Sequence, residues 1–197
     1  MTDTATRRLR TRAAGVLFAL AGGIGLVAQG TDWRIASGEV VVHCPLTVGG
    51  SFQAKTSAIS GQLAPDPSNP SKLTGEMAVD LKTLDSGISL RNTHMRENYL
   101  EVGKGAGFDR AVLSEITLGG GDVTTVNGST TFTAMLQVHG TKKPVSGQAK
   151  VTRSGGDVRV EASFPMSLTD FAVAEPRYLG VGVKDQVQVK VKFGSAR

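Results

Sequence analysis

From Thr131 onward the chain alternates apolar and polar residues with a period of two, and it does so repeatedly. Phe132, Ala134, Leu136 and Val138 alternate with Thr131, Thr133, Met135 and Gln137. Val145, Gly147, Ala149 and Val151 follow, then Val158, Val160, Ala162, Phe164, Met166 and Leu168, and last Val187, Val189, Val191 and Phe193. Successive side chains of a strand point to opposite faces, so this pattern specifies strands with one buried and one solvated face. Gly140 to Pro144 and Ser154-Gly155-Gly156-Asp157 supply turns between them. Half-buried strands at such short spacing imply an all-β antiparallel sandwich or barrel.

The first half carries the same signal less regularly. Trp33 and Ile35 alternate with Asp32 and Arg34, and Val40, Val42 and Cys44 with Glu39, Val41 and His43. Gly49-Gly50 reads as a bulge or sharp bend in a strand. Pro65 to Pro70 reads as an exposed loop, Leu73 to Leu81 as a half-buried strand, Ala111 to Leu118 as another, and Gly119 to Asp122 as a turn. One stretch breaks the pattern. Asp85 to Glu101, DSGISLRNTHMRENYLE, reads as a helix with Asp85 or Ser86 as N-cap and an apolar stripe of Ile88, Met95 and Tyr99. Arg91, Asn92, His94, Arg96 and Asn98 crowd its remaining surface.

The N-terminus belongs to a different class of signal. Arg7, Arg8, Arg10 and Arg12 precede the apolar run Ala13 to Ala28, and Ala28-Gln29-Gly30 places small residues ahead of a cleavage point before Thr31. This is a secretory signal peptide pattern, with an uncleaved anchor as the lesser alternative, so residues 1–30 are a leader and 31–197 the domain. Of the chain's 22 Lys and Arg and 17 Asp and Glu, the leader takes four Arg and one Asp. What remains, 18 cations against 16 anions, shows no clustered basic face with interleaved aromatics, which argues against nucleic-acid binding. The single Cys44 forms no internal disulfide and reads as a buried apolar residue of a strand.

The expected apolar faces mix large residues with Gly75, Ala134, Gly147, Ala149 and Ala162, and the whole chain has only ten aromatics. An eight-stranded barrel is just wide enough to be filled by side chains or to hold one small ligand. Either the strands pack closely at the small residues or something occupies the space.

Four ordered blocks then resemble one known family. They are LTVGGSFQAKTSAISGQL at Leu46–Leu63, VDLKTLDSGISLRNTHMRENYLEV at Val79–Val102, LQVHGTKKPVSG at Leu136–Gly147, and FPMSLTDFAVAEPRYLGVGVKDQVQVKVKF at Phe164–Phe193. Together they resemble the YceI-like family of secreted, lipocalin-like proteins that bind polyisoprenoid lipids. The family's usual Arg-Asp before the helix His is here Arg91-Asn92, and the loop after Leu100 carries the glycines of GKGAG. The resemblance implies an eight-stranded antiparallel lipocalin-like barrel with one short helix near its mouth. It also implies an exported protein that holds a polyisoprenoid or similar long apolar chain in a tunnel.

On that reading Met77, Val79, Ala134, Leu136, Gly147, Ala149, Val160, Ala162, Phe164 and Val189 are the expected tunnel lining. Phe at Gly147 or Ala162 is expected to displace an occupant or to overpack the interior. Arg91, His94 and Arg96 are candidates for a polar head group, because guanidinium forks fit phosphate or carboxylate. Each Arg could instead pair with a strand carboxylate, and His94 could be a structural histidine. His43, His94 and His139 form a metal site only if the fold gathers them, since none has a short ligand spacing. Neither a G-x-S-x-G elbow nor an HExxH helix is present, so no catalytic residue, cofactor or metal is assigned. The expected partner is an isoprenoid or fatty lipid, with membrane contact transient or through the leader, and a homodimer is among the permitted assemblies. Two other functions compete: a metal- or haem-associated redox or stress protein using the His94 region, and an interaction module with a vestigial cavity.

Overall fold

In the computed structural model, residues 32–178 and 180–196 are described; the leader expected at 1–30 lies outside them. The strands are β1 (Trp33–Pro45), β2 (Ser51–Thr56), β3 (Ile59–Asp66), β4 (Asn69–Asp80), β5 (Arg110–Leu118), β6 (Gly128–Val138), β7 (Thr141–Ser154), β8 (Asp157–Ser167), β9 (Arg177–Tyr178), β10 (Val181–Gly182) and β11 (Gln186–Ala196). From β3 to β8 each strand pairs antiparallel with the next, β8 pairs with β11, and β11 pairs with β1 from Arg34↔Ala196 to His43↔Gln188. That last pairing closes an eight-stranded barrel. β1 changes partner along its length, with Trp33↔Leu63 on β3 and Val40↔Thr56 to Pro45↔Ser51 on β2. β2 and β3 therefore act as one kinked barrel strand.

Period-two patterning puts the expected residues inside. Phe132, Ala134, Leu136 and Val138 are buried, as are Val145, Ala149 and Val151, while Lys150, Arg159, Glu161, Lys190 and Lys192 stand on the exposed outer face. Gly75 is the exception. It is exposed at φ +90° where the β4–β5 register slips, and a Cβ there would meet the Gln62 carbonyl at 2.2 Å. It is a bulge glycine that lets β4 bend against β3, not an interior residue. Gly49 and Gly50, expected inside a strand, instead form the turn between β1 and β2, at φ +96° and +77°.

The two ends of the barrel have unlike connections. At one end the links are the turns 67–68 and 155–156 and the nine-residue loop 119–127. At the other they are the turn 46–50, the long segment 81–109, the turn 139–140 and the loop 168–185. The segment 81–109 contains the helix, which is shorter than the sequence predicts. An α-helix spans Ser89–Thr93, and a π-helical turn follows over His94–Tyr99, where the Leu100 N–H donates to the Met95 carbonyl at 2.9 Å. Ile88 is the N-cap and makes no side-chain cap bond, so neither Asp85 nor Ser86 caps the helix. Both are engaged by Asn92 instead. Asn92 Oδ1 accepts from the Ser86 N–H at 2.8 Å and from Ser86 Oγ at 2.7 Å, while Asn92 Nδ2 donates to Asp85 Oδ1 at 2.6 Å. Asp85 also exchanges two backbone hydrogen bonds with Lys55, each 2.8 Å, which fastens the segment to β2.

Candidate functional site

The interior divides into two parts. At the end bearing the links 67–68, 119–127 and 155–156 it is filled. Trp33, Leu63, Leu73, Ile116, Leu118, Val123 and Phe132 are buried there, and Phe132 meets Phe164 edge to face at 6.0 Å. Arg153 closes this end. Its guanidinium stands 5.3 Å from the Trp33 ring, its Nε donates to the Val126 carbonyl at 2.9 Å, and its Nη2 donates to the Val123 carbonyl. Only about 70 Å³ of space remains in this half.

At the opposite end the interior is hollow. A cavity of about 570 Å³ runs inward beneath the helix and the 168–185 loop, within the range of about 300–1,000 Å³ typical of small-molecule sites. Its wall is made of Val40, Val42, Cys44, Ala54, Met77, Val79, Leu136, Val138, Phe164, Val187, Val189 and other apolar side chains. Alternation along each strand aims these residues inward, and the small Ala54 and Ala111 keep the bore open. Cys44 belongs to this wall. Burial pushes its thiol up to about 12, with Arg91 pulling weakly the other way. A thiol so far above the usual range is no nucleophile near neutral pH.

Polar groups reach the cavity only near its mouth. Arg91 lies with its guanidinium 4.2 Å from the centre of the Phe52 ring, a cation–π contact that positions the charge over an apolar wall. His94, Tyr99 and Arg177 also border the cavity. Tyr99 Oη donates to the Arg177 carbonyl at 3.2 Å and accepts from the Arg177 N–H at 3.0 Å. This pair ties the helix to the 168–185 loop across the opening. Arg177 Nη2 pairs with Glu175 at 3.0 Å.

The residues expected from the sequence are distributed as follows. Met77, Val79, Leu136, Phe164 and Val189 line the hollow part. Ala149, Val160 and Ala162 line the small space in the filled half. Ala134 is buried but borders neither space. Gly147 is a packing residue: a Cβ there would meet the Ser163 carbonyl at 2.2 Å and Phe164 Cβ at 2.8 Å. Any side chain at 147 damages the strand contact before it reaches an occupant. Arg91 and His94 stand at the mouth, whereas Arg96 turns away. Its Nε and Nη2 donate to the Leu84 carbonyl at 3.0 and 2.5 Å, which clamps the π-helical turn to the chain before it. Arg177 is the mouth cation that sequence reasoning passed over; its only signal is its place in the Pro-Arg-Tyr-Leu-Gly block.

The three histidines stay apart. His43 is half-buried in β1 and outside the cavity wall. His139 Nε2 lies 2.8 Å from Glu101 Oε2, and its ring packs edge-on to Phe108 at 4.8 Å. Both His139 and Glu101 hold positive φ, +51° and +49°, and their contact clasps the 101–109 segment to the 139–140 turn. The hydrogen bond from Lys104, and then that from His139, holds the Glu101 carboxyl below its usual range. Among the described residues no three His, Cys, Asp or Glu side chains gather as a metal site would require.

Residues 33–194 match the YceI-like domain family. Solved structures share the fold. The crystal structure of BcnA from Burkholderia cenocepacia superposes with a TM-score of 0.63 at 18% identity, covering 80% of this chain and 95% of that one. A polyisoprenoid-binding domain from Saccharophagus degradans, implicated in plant cell wall breakdown, gives 0.63 at 15% identity over 83% and 97%. The YCEI protein of Campylobacter jejuni gives 0.51 at 15% identity over 71% and 81%. No curated protein matches the sequence.

Proposed function

This chain belongs to the YceI-like family, and from that membership we propose that it is an exported, non-catalytic carrier of a polyisoprenoid or similar long apolar chain. The observation that carries the reading is the cavity itself: an apolar bore of about 570 Å³ whose polar groups stand near one opening. Each buried methylene of a bound tail contributes about 0.8 kcal/mol, so tight binding needs no specific polar contact along the bore. Arg91, His94 and Arg177 are the head-group ligands in this reading, with Met77, Val79, Leu136, Phe164 and Val189 among the residues against the tail. Arg96 serves the reading only indirectly, by fixing the turn that carries its neighbours. The leader-like residues 1–30 would route the protein out of the cytoplasm.

The test is native purification, organic extraction and mass spectrometry. A stoichiometric lipid with a long hydrocarbon tail is expected. An extract without lipid, from protein that also fails to take up added polyprenyl phosphate, overturns the proposal.

A further inference from the structure

The mouth of the bore is also where the protein's surface turns apolar. The exposed large hydrophobic side chains among the described residues are Val48, Ile88 and Leu90, at 68%, 49% and 55% exposure. All three lie on connections at the open end. Ile88 and Leu90 precede and begin the helix and border the cavity directly. Val48 tips the 46–50 turn, whose neighbour Leu46 lines the cavity too. That turn is fixed at the opening, because the Thr47 N–H donates to the Gly182 carbonyl at 2.9 Å and Thr47 Oγ1 accepts from the Gly182 N–H at 3.0 Å. The connections at the filled end carry no comparable residue. Single exposed aliphatics need no explanation. Three on the connections around one opening, continuous with its apolar wall, do.

The charge of this end narrows what could meet it. Segments 81–109 and 168–185 carry the cations Lys82, Arg91, Arg96, Lys104, Arg177 and Lys184 and the anions Asp85, Glu97, Glu101, Asp109, Asp170, Glu175 and Asp185. The balance is close to zero, so the end has no net field to draw a polyanion. A protein partner would want rigid aromatic or Arg anchors at the centre of the contact; here the centre is a hole. A fluid interface has no such need. Among the described residues no helix is long and apolar enough to cross a membrane, so contact would be through side chains at the surface.

We propose that the open end seats reversibly on a zwitterionic lipid bilayer, with Val48, Ile88 and Leu90 immersed at the headgroup–acyl boundary and the bore facing the acyl chains. This rests on the carrier reading, because it supplies a route by which a tail enters without crossing water. Attachment is apolar, so it is insensitive to salt and does not require anionic lipid.

The test places one fluorophore at each end, on Val48→Cys or on Ser68→Cys, labelled near neutral pH with Cys44 left in place, because its buried thiol does not react there. Each is mixed with phosphatidylcholine vesicles bearing spin-labelled acyl chains. The label at 48 is expected to be quenched several-fold more than the label at 68, equally at low and high salt. Adding Ile88→Ser and Leu90→Ser is expected to weaken that quenching roughly tenfold. Equal quenching at the two ends, stronger quenching at 68, or quenching at 48 only with anionic lipid at low salt overturns the proposal. So does self-association of the free protein that shields position 48. Extraction and mass spectrometry of the same protein preparations, taken before vesicles are added, separate the two readings. Lipid cargo without quenching removes the docking surface alone, and quenching without cargo leaves the docking surface while the carrier reading falls.

Discussion

The same eight strands build both halves of the barrel, yet one half is filled and the other is hollow. In the filled half Trp33 and Phe132 are buried, Phe164 meets Phe132 edge to face where the two halves join, and Arg153 closes the end on two backbone carbonyls. In the hollow half the inward positions hold Val40, Val42, Cys44, Ala54 and Ala111, which are too short to meet. The connections follow suit. The filled half is closed by two tight turns and the 119–127 loop, while the hollow half is bordered by a helix and a long loop joined through Tyr99 and Arg177. Stability is thus concentrated where side chains touch on all sides, and capacity where they do not.

The largest expected contrast is a matched pair of deletions. Leu63→Ala in the filled half should cost about 3–5 kcal/mol, because it opens a cavity in packed surroundings, whereas Leu136→Ala in the bore should cost about 2–3 kcal/mol. Urea denaturation of the two variants measures this, and equal losses would break the division between halves. The reverse pair comes next. Ala149→Leu should overpack the filled half at about 1–3 kcal/mol, while Ala54→Leu, which grows into the bore, should cost less than about 1 kcal/mol and lower lipid occupancy. Thermal melts with lipid quantification would decide it; a similar cost at both positions would mean that the bore is narrow at Ala54.

The smallest effect concerns the polar fastening of the open end. The Gly87 N–H, and then Asn92 Nδ2, hold the Asp85 carboxyl below its usual range. Its folded pKa being depressed, Asp85 contributes stability above the unfolded value of about 4 and loses it as pH falls. Asn92→Asp replaces the donor by a second carboxylate, so the paired carboxyls bind a proton more readily folded than unfolded. The variant should lose under about 3 °C of Tm at pH 7, and the gap to the parent should close as pH falls toward about 4. A gap that widens on acidification would refute the Asp85–Asn92 pairing. Hydrogen exchange should place the loss in 81–100 and leave the filled half unchanged.

Much of this architecture was legible in the residues. Period-two alternation in 131–193 marks strands whatever surrounds them, and four family blocks supplied the barrel. Which inward residue faces space and which faces a neighbour was not legible, because it depends on height in the barrel rather than on residue type. Leu136 and Ala134 sit two apart on one strand face; the first lines the bore and the second does not. The helix starts later than its sequence suggests for a local reason. Asp85 and Ser86 look like caps, but the Asn92 side chain folds back and takes both. The Asn92 amide suits this place: Asp85 supplies the carboxylate, and a donor is needed opposite it. The widening of the last helical turn has no pattern of its own, since it accompanies anchoring of Arg96 on a distant carbonyl.

The seam of the barrel joins the first described strand to the last, Arg34↔Ala196 through His43↔Gln188. A chain made from its N-terminus therefore keeps both sheet edges bare until its final strand emerges. No local hairpin forms that seam, so its closure bears the full entropy of joining distant ends and should come late in folding. Until then each bare edge is a template for another chain. Once formed, the same pairing locks the bore shut along its side, leaving the mouth as the way in.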